Sequence, residues 1–395
     1  MRLIHAGDLH LGFEVYREEG YDYFKPLRYS VDYAIEKSFD LFIIAGDLFD
    51  RRDPSAFIQM GFAKEVKRLI DKGIEVLVIT GNHDGSPNPE RNIHLDIYRE
   101  LELTGVIVSK KMELLNIKGL NIITVPYPFK RNLFAKDEYK EKTEGEIAII
   151  MNNIIVDGIG SLLENTDKSL PTILVAHLPL LEGTVGEEVY SSFTVDAPIS
   201  IEAIDRADFC YIAMGHFHKK QVLVSRRFSH PFVYSGSIDR INFSEETEEK
   251  GFFEVTIDEG SKGSSFSFVK NPYARNFYSI HLKKDNDLEG IDWEKVKSSI
   301  TRVIVHNDME DEGLFKKIID RIKNDALVFA GVEDKRIVSD SITRTAFKIS
   351  ISPKEAIEKY LSMNNDQFIN ENRGKILGKA LEILRQIEHD SQKQE

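Results

Sequence analysis

The chain contains one cysteine, Cys210, and one tryptophan in 395 residues. A single thiol excludes any disulfide within the chain, so a reducing cytoplasm is the expected setting. Cys210 lies in the apolar run DFCYIAM, where it reads as a small core residue. Basic charge is also short. Lys and Arg number 52 against 65 Asp and Glu, a net charge of −13. That argues against a protein wrapped broadly in nucleic acid. It leaves room for a local phosphate site, because carboxylates that hold cations can bind phosphate through them. No apolar run stands out as approaching the ~20 residues of a membrane helix, so no membrane partner is expected. Polar residues interrupt the N-terminus by Asp8, which gives no signal-peptide pattern. Internal repeats and low-complexity segments are lacking as well.

The chain does have length and alternation. Its 395 residues fit two or three domains. RLIHAGD, DLFIIAGD and IEVLVITGNHD read as strands, and YSVDYAIEKS lies between the first two as a helix. PSAFIQMGFAKEVKRLIDKG reads as an amphipathic helix between Pro54 and Gly73. Further strands are expected at LNIITVPYP, PTILVAHLP, FCYIAMGHFH and FVYSGS, then a hairpin of GFFEVTIDEG and SSFSFVKNP. The pattern is an α/β fold, a sheet with helices on its faces. Near residue 275 it changes to a small α+β unit over 275–350, with strands at NFYSIHL, TRVIVHN and ALVFAGV. From Pro353 the chain reads helical only.

Five strands end in Asp, Asn or His. They supply Asp8 and His10, then Asp47, then Asn82 and His83, then His177, then His216 and His218. Ligands in open α/β sheets sit outside the carboxyl ends of strands, so these groups can share one crevice. Residues two apart on an extended chain point to one side, so Asp8 with His10, and His216 with His218, can each grip one ion. Carboxylate, amide and imidazole donors without thiolate suit Mn or a similar cation rather than a closed structural zinc. Seven ligands are too many for one tetrahedral ion and suit two octahedral ions that share a carboxylate. Two such ions clamp the attacking and leaving oxygens of a phosphoryl displacement. Gly46, Gly81 and Gly215 each precede a candidate ligand and let backbone approach closely. Any one of these histidines alone reads as a satisfied polar residue at a strand end. The ordered set is what points to a site. His5 faces away by strand parity, and His94, His230, His281, His306 and His389 fall outside the pattern.

The order HAGDLHLG, GDLFDRRDPS, GNHD, AHLP and GHFH resembles the calcineurin-like metallophosphoesterase superfamily, over residues 1 to about 270. Within it the chain most resembles the SbcD nuclease family, and YSGSIDRINFSEETEEKG at 234–251 resembles that family's segment after the last metal motif. The resemblance implies a two-sheet metallophosphoesterase sandwich flanked by helices (1–270), a small α+β DNA-capping domain (275–350) and a C-terminal helical pair (353–391). It implies two Mn2+, or Mg2+ or another divalent metal. Asp8, His10, Asp47 and His218 would hold one ion; Asp47, Asn82, His177 and His216 would hold the other. His83 would stay off the metals and act at the scissile phosphate, stabilising the transition state or protonating the leaving oxygen. Asp84 could orient His83 or make a plain structural hydrogen bond. Some members carry a histidine three residues after the bridging aspartate. Asp50 stands there in this chain and cannot present an imidazole to DNA.

The implied function is a Mn-dependent nuclease, a double-strand exonuclease and single-strand endonuclease in DNA double-strand-break repair. It would be cytoplasmic and nucleoid-associated, and would act with an SbcC-type coiled-coil ATPase. The last helix carries Ile376, Leu377, Ala380, Leu381, Leu384 and Ile387 at helical spacing, a stripe for that partner or for its own domain. Homodimerisation through PSAFIQMGFAKEV and ERNIHLDIYREL is a family expectation, although the same residues suit packing on the sheet. Lys130–Arg131, Lys219–Lys220 and Arg226–Arg227 are candidate DNA phosphate contacts, or solvated surface. Two other readings compete. One is a phosphodiesterase for small molecules or cyclic nucleotides, or a protein phosphatase. The other is a DNA-end-bridging scaffold in which cleavage is secondary.

Overall fold

Each residue of the strand Leu41–Ala45 is buried, and the five divide by parity. Phe42 and Ile44 join a cluster with Leu27, Val31, Phe62 and Val66 from two helices. Leu41, Ile43 and Ala45 join a second cluster with Ile122, Ile173, Val175 and Ala213 from another sheet. A strand apolar on both faces must lie between two layers, and here those layers are helices on one side and a second sheet on the other. The computed structural model describes residues 1–13, 22–86, 88, 91–130, 133, 139, 141–184, 197–228, 230–260, 262–283, 289–306, 312–335, 377 and 379.

The strands in chain order are β1 (Arg2–Ala6), β2 (Leu41–Ala45), β3 (Glu75–Ile79), β4 (Val106–Ser109), β5 (Glu113–Ile117), β6 (Leu120–Val125), β7 (Thr172–His177), β8 (Phe209–Gly215), β9 (Gln221–Val224), β10 (Pro231–Tyr234), β11 (Gly251–Ile257), β12 (Ser264–Lys270), β13 (Phe277–Leu282), β14 (Ile300–Val305) and β15 (Val328–Asp334). The helices are α1 (Lys25–Glu36), α2 (Ala56–Ile70), α3 (Asp96–Glu100), α4 (Glu144–Glu164), α5 (Ile201–Ile204), α6 (Trp293–Lys297) and α7 (Glu312–Asp325).

One sheet runs β12-β11-β1-β2-β3-β4 and the second β5-β6-β7-β8-β10-β9. Each is mixed. The strands β1 to β4 are mutually parallel, and the β11–β12 hairpin adds to β1 antiparallel. In the second sheet β6, β7, β8 and β10 run parallel, with antiparallel β5 and β9 at the edges. The two-sheet α/β sandwich flanked by helices is thus observed. Its parallel strands all deliver their carboxyl ends to one side, where the candidate residues lie.

The Ser55 hydroxyl caps α2 by accepting from the Ile58 N–H, and Thr143 with Glu146 forms a capping box at α4. The helix α4 corrects one expectation. Its 21 residues include an 18-residue stretch with a mean hydropathy of 1.5, long and apolar enough to cross a membrane by composition. Ile147, Met151, Ile155, Ile159 and Leu163 recur every four residues along one face, and that face packs on the second sheet against Leu174 and Ile212.

The third sheet, β13-β14-β15, is wholly parallel, with α6 and α7 as its crossovers. Ile280, Leu282, Val296, Val303 and Ile322 form its own core. Its other side packs Phe277 and Ile300 on Phe243. Residues 336–350 of the expected capping domain lie outside the described residues, as does the helical pair 353–391 apart from Leu377 and Lys379.

His5 sits in the core between the two sheets. Its Nδ1 lies 3.0 Å from the Tyr211 hydroxyl, and its Nε2 lies 3.2 Å from the Met214 carbonyl oxygen. Burial pushes its pKa down to about 3, against the opposing pull of that carbonyl. An unfolded histidine titrates near 6.5, so below that pH the unfolded chain takes up a proton that the folded chain refuses. Stability from His5 is therefore complete above about pH 6.5 and declines by about 1.4 kcal/mol per pH unit toward pH 3. In urea unfolding, the stability difference between the natural chain and His5→Gln should shrink by about 2 kcal/mol from pH 7 to pH 5. Parallel pH curves for the two proteins would remove this account.

Candidate dimetal centre

The candidate residues leave the carboxyl ends of β1, β2, β3, β7 and β8, and the structure brings all of them together. The extended-chain argument for Asp8 and His10 is corrected, however. The strand β1 stops at Ala6, and Asp8 (φ 50°) and His10 (φ 43°) are left-handed, as are Asp47 (φ 48°) and His216 (φ 108°). Such backbone costs roughly 1–3 kcal/mol per residue and persists where surrounding contacts impose it. Here the loops curl back over the sheet ends, which aims short side chains inward. Two glycines allow the approach. A Cβ on Gly46, itself at φ +91°, would run into the His177 ring, and one on Gly215 would run into the Ala45 carbonyl.

Asp47 is central and buried. Its Oδ1 accepts from the His83 backbone N–H at 2.8 Å, while its Oδ2 lies 3.4 Å from His177 Nε2 and 3.8 Å from His10 Nε2. His10 Nε2 and His218 Nε2 face each other at 3.0 Å. Asn82 Oδ1 lies 3.1 Å from both His177 Nε2 and His216 Nδ1. Asp8 accepts from the His216 N–H at 3.1 Å. Ligand atoms of Asp8, His10 and His218 fall within 4.8 Å of one another, as do those of Asp8, Asp47 and His177.

The outer nitrogens of two rings are occupied. His177 Nδ1 donates to the Ala45 carbonyl at 2.8 Å, and His218 Nδ1 donates to Glu245 Oε1 at 2.9 Å. Those partners place the protons, so both Nε2 atoms turn lone pairs inward. His177 Nε2 then faces two oxygens, and His218 Nε2 faces another imidazole nitrogen. The buried Nδ1 of His10 has no hydrogen-bond partner among the described residues. Only a proton or a metal cation reconciles so many convergent acceptors. The donor set, two carboxylates, an amide and four imidazoles, fits hard-to-borderline divalent cations.

Charge reflects the same crowding. Burial would raise the Asp47 carboxyl, but His177, His10 and His83 outweigh it and hold it far below the carboxylate range. Burial opposes a proton on His177, yet Asp47 overcomes that and raises it to about 9. A metal cation held by His177 would take the place of that proton.

Glu245 was not singled out by the sequence reading, although it lies within the segment 234–251. Burial would raise it, but His218 and Lys250 hold it at about 2. The fully buried Lys250 Nζ lies 2.9 Å from Glu245 Oε2 and donates to the His218 carbonyl at 2.9 Å. Glu245 thus orients His218 from behind. The acid-rich SEETEEK run carried this signal, but an acid there is indistinguishable by type from its solvated neighbours.

Asp84 resolves as structural. Its carboxylate accepts from the N–H groups of Leu48, Phe49 and Gly81, and burial and the Asp47 charge push it up to about 6. His83 Nδ1 donates instead to the Asp50 backbone carbonyl at 2.7 Å. The Asp50 carboxylate lies 3.7 Å from His10 Nδ1. Among the basic pairs, Lys220 is engaged by Glu249 at 2.9 Å and by the Phe268 ring. Lys219, Arg226 and Arg227 are exposed, and Arg131 lies outside the described residues. With Glu245→Gln, the affinity for one of two Mn2+ ions should fall about 10- to 100-fold in calorimetric titration, and the other should be retained. Equal affinities in both proteins would deny Glu245 this role.

Residues 1–220, more than half of the chain, match the model of the calcineurin-like phosphoesterase family. Among solved structures, the phosphopantetheinyl hydrolase PptH from Mycobacterium tuberculosis is similar at 17% identity, over 60% of this chain and 89% of that chain, with a TM-score of 0.35. A dimetal phosphatase from Danio rerio is similar at 9% identity, over 69% of this chain and 96% of that chain, with a TM-score of 0.42. Structural likenesses this distant carry no argument by themselves. The family match and the ordered site do, and the chain belongs to the calcineurin-like phosphoesterases, hydrolases that use two divalent metals.

Proposed function

We propose that this protein is a DNA nuclease of the SbcD type, acting with an SbcC-type coiled-coil ATPase in double-strand-break repair. The observation that carries the reading is the role of the segment 234–251. Its Glu245 holds His218, while its Phe243 packs on Phe277 and Ile300 of the third sheet. Glu246 accepts from the Ser279 N–H of β13 at 3.1 Å, and Arg240 donates to the Arg275 carbonyl at 2.7 Å. A phosphatase for small substrates has no need of an added unit tied to its metal ligands. A nuclease has such a need, because a long duplex must be gripped beyond the bond that breaks.

In this reading Asp8, His10, Asp47 and His218 hold one divalent cation, and Asp47, Asn82, His177 and His216 hold the other, Mn2+ being the favoured species. When bound, such a pair neutralises phosphate charge and supplies an activated water. The chain's own contribution is positional. His83 donates from Nδ1 to the Asp50 carbonyl, which aims Nε2 into the site; with a second proton on Nε2 the imidazolium would donate to a phosphate oxygen or to the leaving sugar oxygen. Its backbone N–H fixes Asp47 between the two ligand sets. The Asp50 carbonyl does this whatever side chain residue 50 carries, so an acid there leaves His83 oriented while offering DNA no imidazole.

The segment 353–391, expected from its sequence to be a helical pair, is proposed as the seat of the ATPase, in a cytoplasmic, nucleoid-associated complex. A homodimer is proposed through α2 and α3, where Phe57 (64% exposed), Met60, Ile97 and Leu101 leave apolar surface uncovered. Light scattering should then give twice the chain mass for the natural protein and a monomer for Phe57→Glu with Met60→Glu. A monomeric natural protein rules the dimer out.

The nuclease reading is tested with a linear duplex labelled at one blunt end, in Mn2+. The natural protein should degrade it, and His83→Ala should cut about 100- to 10,000-fold more slowly while still binding two metals. Hydrolysis of bis-p-nitrophenyl phosphate, with DNA left intact even when the ATPase is added, would instead favour a small-molecule phosphodiesterase. DNA joining without cutting would favour an end-bridging scaffold.

A further inference from the structure

A cavity of about 320 Å3 lies beside the metal ligands. Its volume is at the lower end of small-ligand sites. Its lining includes Gly85 and Ser86 of the loop after His83, and Lys110 and Lys111 of the turn between β4 and β5. Tyr127 and Phe129, just past β6, also line it. The Tyr127 ring centroid is 5.8 Å from that of His216 and 6.2 Å from that of His177. Through Tyr127, which touches both the cavity and the candidate ligand rings, the cavity neighbours the site without being lined by the ligands themselves.

Its lining is cationic and aromatic in a chain that is acidic overall. Arg91, Arg99, Lys110 and Lys111 face it, and Glu113 is its one acid. Lys110 is committed to Asp96, with both carboxylate oxygens at 2.8 Å. The other three are held loosely. Arg91 is 4.0 Å from Asp53, Lys111 is 4.0 Å from Glu113, and Arg99 is 3.6 Å from Asp96. Their side chains stay 60%, 77% and 51% exposed. Guanidinium forks and an ammonium in reach of one space suit a phosphate. Half-buried Phe129, set edge-to-face on Tyr127 at 4.9 Å, adds an apolar ring against which a base can pack.

We propose that this cavity is a subsite for the nucleotide adjoining the scissile phosphate, with Arg91, Arg99 and Lys111 on its phosphate and Phe129 with Tyr127 against its base. The assignment deepens the nuclease reading and rests on it for the word scissile; the cavity's fit to a nucleotide rests on its lining. A substrate without a second nucleotide leaves these contacts unused.

The test uses the full chain with Mn2+ and two variants, Arg91→Ala with Lys111→Ala, and Phe129→Ala. The exposed pair poses little risk to folding. Thymidine 5′-monophosphate should bind the natural protein more tightly than inorganic phosphate in calorimetric titration, and each variant should weaken it about tenfold. On oligonucleotides KM should rise about as much with kcat nearly kept, and by clearly more than on bis-p-nitrophenyl phosphate. Nucleotide binding that is lost in the variants, with DNA left uncut by the natural protein even when the ATPase is added, keeps the subsite and removes the nuclease reading. Binding no tighter than inorganic phosphate, or equal binding by natural and variant proteins, overturns the subsite even if DNA is cut.

Discussion

The site is governed by an excess of inward-facing lone pairs. Asp47 Oδ2, Asn82 Oδ1 and the Nε2 atoms of His177 and His218 converge, and their outer partners fix the protons elsewhere. Buried acceptors that face one another are costly unless a positive charge lies among them. The fold does not relieve that conflict by turning side chains away. It reinforces it, with four non-glycine residues in left-handed backbone and with loops too close for a Cβ at Gly46 or Gly215. Strain of this kind persists because the surrounding packing imposes it, and a cation bound among the acceptors would return part of its cost.

The same constraint explains why two sheets are needed. His177 belongs to β7, and the carbonyl that orients it belongs to Ala45 of β2 in the facing sheet. One metal set is thus assembled across the seam, and its geometry depends on how the sheets pack. The core between them supplies that fixity, with Leu3, Ile43, Ile79, Val175 and Ala213 fully buried. The other set gains its support later in the chain. His218 is steered by Glu245, and Glu245 is steered by the buried Lys250, whose only reason to be dry is that it meets two carboxylates and the His218 carbonyl.

What the sequence made legible follows from period and punctuation. The strands at β1, β2, β3, β7 and β8 announce themselves as dense apolar runs that break at Asp, Asn or His, and all seven candidate ligands were found that way. The strands β4 and β5 were not singled out, being four and five residues long; β5 is an edge strand of mostly half-buried residues with little apolar contrast. The helix α4 was passed over because apolar residues nearly surround it, which blurs its stripe. The spacing of Asp8 and His10 suggests extended backbone where the structure has left-handed residues, because spacing alone does not show where a strand stops. Glu245 escaped because its partner His218 lies 27 residues away, and no local period links them. A motif reports which atoms meet the ligand; the residues that aim those atoms are set by tertiary packing.

An acidic protein that works on a polyanion needs its favourable field close to the reaction. Net charge acts over distance, and at physiological salt that distance is about 8 Å. Most of the −13 charge is therefore screened from a phosphate already in the cleft. Inside that radius the balance reverses. Two divalent cations would outweigh the carboxylates of Asp8 and Asp47, and Arg91, Arg99 and Lys111 of the neighbouring cavity would add to the positive region. The repulsion that remains falls on encounter rather than on binding, since it opposes approach from bulk solvent and fades once the strand is seated. In the proposed nuclease reading, a protein with that arrangement would bind DNA weakly and non-specifically by itself. It gains from a partner that brings the strand within the screened radius, which is the physical case for a DNA-gripping ATPase beside an acidic nuclease.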